Sequence, residues 1–150
     1  MRGLWLFVHF IGFTLWLGAG MGAMAAGVTA KRFAPGDRLA VYRALGALHR
    51  FCVFPGALFT IVSGFALLGP FMGAGMTGGL TLMMLAGTIG GLVAAFGSVP
   101  TAMQLARLEL DARGELPESF QGLRKRQVIV ATIAGGLGLI ALAGATFFRY

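Results

Sequence analysis

Charge is what this chain has least of. No Asp, Glu, Lys or Arg occurs in residues 3–30, 51–106 or 127–148, and only 11% of all residues are charged. One crossing of a bilayer takes about 20 mainly apolar residues. The three runs, the middle one long enough for two crossings, therefore predict four membrane-spanning helices. Cysteine is almost absent. The lone Cys52 excludes an intramolecular disulfide, and in its apolar run it behaves as a small hydrophobe. Acidic residues number five, all outside the apolar runs, so the carboxylate relay usual in proton-coupled transporters is missing. Paired acids, a nucleophile beside a base and a P-loop are missing too, and the glycine-rich stretch 69–79 carries no lysine.

What is present agrees with a membrane setting. The 150 residues are 57% hydrophobic, with a mean hydropathy of +0.84. That length gives one domain, which four crossings with short connections nearly fill. The formal charge of +7 is not a nucleic-acid signature, because its distribution has another cause. Lys31, Arg32, Arg38, Arg43 and Arg50 fall in one hairpin segment, and Arg107, Arg113, Arg124, Lys125 and Arg126 in another. The opposite side keeps Arg2, Arg149 and an uncharged loop at 70–80. Basic residues stay on the cytoplasmic face, so both charged loops are expected in the cytoplasm and both termini outside, in a bacterial inner membrane. Arg43, Arg50, Arg124, Lys125 and Arg126 are the expected contacts to anionic lipid headgroups, at about 1 kcal/mol per charge. The N-terminus imitates a signal peptide, with Arg2, an apolar run and Ala23-Met24-Ala25. The run continues to Ala30, which reads as a retained first helix.

Helices are expected at about 4–30, 44–68, 80–99 and 121–148, in an all-α, antiparallel, up-down-up-down bundle with helical extensions on the basic side. Pro35-Gly36-Asp37 reads as a turn with Asp37 as N-cap of a helix from Arg38. Gly69-Pro70 stops the second span, and the following loop holds Gly73, Gly75, Gly78 and Gly79. Ser98 and Pro100 mark a kink, followed by an amphipathic extension over 101–113 with Glu109 and Arg113 as an i,i+4 pair. Gly114 ends it, and Pro117 opens the fourth helix. In lipid, helices associate by close packing rather than by the hydrophobic effect. Gly18 with Gly22, Gly87 with Gly91, and Gly136 with Gly144 are the expected packing positions, within one copy or between copies.

His9 is the residue well inside a span that titrates near neutral pH. Trp5, His9, Gly12, Trp16, Ala19 and Ala23 recur at spacings of three and four, which puts His9 on a bundle-facing stripe. It is either an axial ligand for haem or a metal, or a neutral ring donating one hydrogen bond to a neighbouring helix. His49 lies near the opposite boundary, about 20 Å away in depth across a ~30 Å core, so the two cannot share a metal; at that boundary it reads as an interfacial residue near headgroups. Met24, His49 and Cys52 fall at similar depth, and thioether, imidazole and thiolate suit Cu(I). Against that, the eight methionines are ordinary gap-fillers for an apolar bundle.

Several short motifs bear on kinship: Val8-His9-Phe10-Ile11-Gly12 and Trp16-Leu17-Gly18, then Phe54-Pro55-Gly56 and Ser63-Gly64-Phe65, then Leu123-Arg124-Lys125-Arg126. With these the chain resembles the predicted four-helix bacterial integral membrane family of unknown function related to copper resistance protein D. More distantly, it is similar to the four-helix membrane protoporphyrinogen oxidase. The second resemblance implies haem b on a first-helix histidine, here His9; the first implies copper handling. Three functions therefore stand as expectations: a non-catalytic bundle that assembles with itself or as an accessory subunit of a larger membrane complex, a haem b redox protein, and a copper-handling protein.

Overall fold

The computed structural model describes residues 1–69 and 77–147. The described residues form four long helices: α1 (Arg2–Arg32), α2 (Pro35–Leu68), α3 (Gly78–Ala106) and α4 (Ser119–Phe147). Each is long and apolar enough to cross a membrane, and the fold is all-α. The expected Gly73 and Gly75 loop, Phe148 and Arg149 lie outside the described residues.

The close approaches of the glycines give the packing order. Gly12 meets Thr60 and Gly56, while Gly27 meets Tyr42; rising numbers on α1 pair with falling numbers on α2. The same inversion joins α3 to α4, where Gly90 meets Leu137 and Gly97 meets Val130. It joins α2 to α3 as well, with Gly46 against Ala106 and Gly91 against Ile61. The bundle is therefore antiparallel throughout. At the Gly12–Gly56 seam backbone meets backbone. A Cβ on Gly56 would stand 2.6 Å from the Trp16 nitrogen, and one on Gly12 would stand 2.7 Å from the Thr60 nitrogen. Only glycine lets two backbones approach so closely.

The packing glycines are largely not those expected from spacing. Gly91 and Gly144 do seat a neighbouring helix, and Gly87 lies in ordinary contact with Ala141. Among the described residues Gly18, Gly22 and Gly136 have no neighbour within 4 Å of a Cβ position, so no helix seats closely on them there. Gly12, Gly46, Gly56, Gly90 and Gly138 carry the seams instead. Spacing of four along one helix says nothing of which face that helix turns inward, and α1 turns Gly12, Trp16 and Ala23 inward.

Two cores stack along the bundle axis. Trp16, Val53, Ala57, Ala94, Ala95, Val99 and Ala134 form the middle one. Ala30, Leu39, Tyr42, Leu105 and Phe120 form the second, at the basic end, where Tyr42 meets Phe120 edge-on at 5.2 Å. Arg38 fastens α1 to α2 there. Its Nε donates to the Ala30 carbonyl (3.0 Å) and its Nη2 to the carbonyls of Lys31 and Phe33, which satisfies the orphan acceptors and the negative dipole at the end of α1.

Two local expectations need correction. The second helix begins at Pro35, with Ala34 as N-cap and Asp37 within its first turn; proline suits that first position because its missing N–H would be unpaired anyway. The extension beyond 101 ends at Ala106, so Glu109 and Arg113 are not a helical i,i+4 pair. Asp111 competes for the backbone there, its Oδ1 accepting from the amides of Arg113 and Glu115, both at 2.8 Å, while Gly114 turns the chain at φ 76°. At Ser98 and Pro100, the expected kink position, the third helix passes through a wide π turn over Ala94–Ser98 and continues. A matching π turn, His49–Val53, interrupts α2. Each precedes a proline by two residues, Pro55 and Pro100. A proline ring clashes with the carbonyl four residues before it, here Phe51 and Phe96, and both lie inside the widened turns.

Candidate functional site

The two π turns bring buried polar groups together. His49, at the head of the first, is 4% exposed, and Ser98, at the end of the second, is 1% exposed. Both face Gln127 of α4. The His49 Nδ1 lies 2.8 Å from the Leu45 carbonyl oxygen. That oxygen only accepts, so Nδ1 carries the proton, and in the neutral ring Nε2 accepts. The Gln127 Nε2 supplies that hydrogen bond at 3.0 Å and donates a second to Ser98 Oγ at 2.9 Å. Both amide protons are thereby used. Gln127 Oε1 is buried with no hydrogen-bond partner among the described residues, a situation that costs about 1–3 kcal/mol where a partner could have been supplied. π turns recur at functional sites, and here they aim two side chains at one amide.

This cluster corrects the placement of His49. It is enclosed in the bundle, not exposed to headgroups, because the widened turn swings it toward α4. The cluster lines one side of a cleft of about 470 Å³ between α1 and α4. Trp16 and Leu139 lie toward its inner end and Lys31, Tyr42 and Arg124 at its basic end. From Trp16 to Lys31 the cleft follows α1 for about 22 Å at 1.5 Å per residue. Trp16 and Leu17 close against Gly138 above it; below, Gly20 and Gly135 have no neighbour within 4 Å of a Cβ position, which keeps the space open.

His9 occupies a second, separate site. Its Nδ1 lies 3.0 Å from Ser63 Oγ, while the Ser63 hydroxyl also reaches the carbonyls of Phe59 and Thr60. The serine proton goes to a carbonyl, so His9 donates through Nδ1 and leaves Nε2 as the nitrogen able to ligate. Gly64 lies under the ring, with a Cβ position 3.4 Å from Cε1. The stripe expected on α1 does face inward: Gly12, Trp16 and Ala23 are buried, whereas Trp5 is 36% exposed near the helix start.

Met24 and His49 line the same cleft, but Met24 is largely exposed and both His49 nitrogens are engaged. Cys52 is half-buried and is not part of the cleft wall. Among the described residues no group of three or more His, Cys, Asp or Glu side chains is placed to hold a metal ion. Arg43, Arg50, Lys125 and Arg126 are exposed at the basic end, Arg50 lying over the Phe51 ring at 5.5 Å. Arg124 turns inward, its Nε donating to Tyr42 Oη at 3.1 Å. Sequence reasoning missed Gln127 and Ser98. The signal available was a polar pair inside charge-free runs, Ser98 just ahead of Pro100 and Gln127 just after a basic triplet.

No family model, no curated protein and no solved structure matches this chain.

Proposed function

We propose that this protein is a small, non-catalytic bundle of a bacterial inner membrane that assembles with itself or as an accessory subunit of a larger membrane complex, through the outer face of α1. The observation that carries this reading is a stripe of small, exposed residues on the outer side of α1, with no helix packed on it among the described residues. Thr14, Gly18, Gly22, Ala25 and Thr29 follow one another at spacings of four, four, three and four, and they lie on the outer side of the helix. Small-xxx-small stripes let a second transmembrane helix approach closely. The remaining chemistry is sparse, since most polar groups inside the bundle are bonded to one another. In this reading the basic loops lie in the cytoplasm and both termini outside, with Arg43, Arg50, Lys125 and Arg126 on anionic headgroups.

The test is a Gly18→Leu, Gly22→Leu double variant. Among the described residues nothing lies within 4 Å of a Cβ at either position, and leucine favours the helix by about 1 kcal/mol per site over glycine. The variant should therefore fold normally while losing its partner or its self-association in gentle detergent. Unchanged co-purification and particle mass would refute the assembly role.

A second reading, haem b on His9, has its own support. A ligating imidazole typically donates its other N–H to an acceptor, and Ser63 accepts from His9 in that way. His49 is not a second ligand, both its nitrogens being engaged inside the bundle. A Soret band lost in His9→Ala would establish this reading, and native protein without the band would remove it. Copper handling rests only on the family resemblance and on the softness of Met24, His49 and Cys52; metal content compared with Cys52→Ser and Met24→Leu decides it.

A further inference from the structure

The charge-free run 51–106 is bracketed by Arg50 and Arg107, and the fold brings those two ends together. Gly46 lets the end of α3 press against α2, since a Cβ there would stand 2.5 Å from the Ala106 Cβ. Arg107 follows Ala106 directly, as the C-cap of α3. Arg50 stands four residues beyond Gly46, on the same side of α2 and about 6 Å further toward the hydrocarbon at 1.5 Å per residue. Both arginines line one depression of about 240 Å³ on the α2–α3 seam, whose other walls include Ala47, Phe51 and Met103. Ala47, Arg50, Phe51 and Arg107 are all exposed, so the depression opens to the outside of the bundle. No acidic residue lines it. Among the described residues no hydrogen bond or ion pair engages either guanidinium; Arg50 lies over the Phe51 ring at 5.5 Å, which holds it against an apolar wall. The negative end of α3 opposes an anion here, but the carbonyls of Gln104 and Leu105 already accept from the amides of Arg107 and Leu108.

We propose that this depression is a discrete seat for the phosphate of one anionic phospholipid, held between Arg50 and Arg107, with the acyl chains left in the bilayer beside Phe51. It rests on the headgroup contacts proposed above for the basic end and sharpens them to a single site, whose second cation, Arg107, those contacts do not include. Guanidinium forks match phosphate oxygens two at a time, and two unpaired cations with no acid between them favour a net negative head. A lipid rather than a dissolved anion follows from position and walls. The pair marks the edge of the charge-free run, and Phe51, 70% exposed, offers its ring to the chains just beyond it. The volume of about 240 Å³ lies below that of a pocket enclosing a whole drug-sized ligand and suits a headgroup alone.

The test uses the full chain in nanodiscs of zwitterionic phosphatidylcholine. Phosphatidylglycerol carrying a photoactivatable diazirine beside its glycerol is titrated in, and the adducts are mapped by mass spectrometry. Labelling should saturate and should concentrate on residues 47–51 and 103–107, the two segments that wall the depression. Half-saturation should weaken about tenfold in Arg50→Gln and in Arg107→Gln, the loss typical of a hydrogen bond to a charged group. Arg113→Gln removes the same charge from the exposed loop after α3, outside the depression, and should change it by less than about twofold because exposed charges at a distance are screened. Adducts spread evenly over the basic end, weakening equally in Arg113→Gln, would mean diffuse attraction; that would overturn the seat and leave the broader headgroup contacts standing. Equal labelling of the same segments by diazirine phosphatidylcholine would overturn both. Displacement by inorganic phosphate as effective as by unlabelled phosphatidylglycerol would overturn the lipid as occupant. The competitors act on the unaltered protein, so they discriminate even where a variant fails to fold.

Discussion

At the scale of single residues, two glycines of α1 illustrate opposite circumstances. Gly12 is trapped against the backbone of α2, and backbone cannot yield as a side chain can. Gly12→Ala, or Gly56→Ala across the seam, should destabilise the bundle by about 1–3 kcal/mol, the usual penalty for overpacking. Gly18→Ala, facing open space, should be neutral or stabilising by up to about 1 kcal/mol. Unfolding in mixed micelles followed by circular dichroism separates the two outcomes. Equal effects at Gly12 and Gly18 would contradict the packing described here. The polar cluster yields another test. A double-mutant cycle of His49→Leu and Gln127→Leu should give a coupling of about 0.6–1.7 kcal/mol, the range found for interhelical hydrogen bonds in membranes. Coupling near zero would mean that the bond between His49 and Gln127 does not form.

Among the elements, the π turns decide how much of the site could be read from residues alone. The four spans were legible because 28, 56 and 22 consecutive positions lack charge, and a signal of that size overrides local detail. The inward stripe of α1 was legible too, since Gly12, Trp16 and Ala23 follow helical spacing with His9, although Trp5, at the same spacing, is exposed. His49 was not. An unbroken 3.6-residue period places it by extrapolation, and the extra residue in His49–Val53 cancels that extrapolation. Gln127 and Ser98 were missed for a related reason, because their meaning lies in contacts between α2, α3 and α4 that no single periodicity encodes. The end of α3 was misread because Leu105 turns into the Tyr42–Phe120 core and Asp111 captures the following backbone. If the prolines cause the wide turns, Pro55→Ala with Pro100→Ala should restore regular helix. His49 and Ser98 would then rotate by about 100° about their helix axes and part from Gln127. Solid-state NMR of the labelled His49 ring and Gln127 amide should lose their cross-peak in that variant; its persistence would show that proline does not set the geometry.

For the whole molecule, everything rests on four apolar rods crossing one bilayer with their basic ends gathered on one side. Inward glycines hold those rods together. Both cores, the polar cluster and the cleft depend on that frame. The most direct measurement is the sidedness of single cysteines labelled with a membrane-impermeant maleimide in sealed vesicles, in a Cys52→Ser background. Gly36→Cys precedes most of α2, Glu118→Cys directly precedes α4, and Gly3→Cys lies at the start of α1. Positions 36 and 118 should react from one side of the membrane and position 3 only from the other. Positions 36 and 118 reacting from opposite sides, or all three reacting alike in protein that needs no detergent to stay dissolved, would contradict the four-span frame.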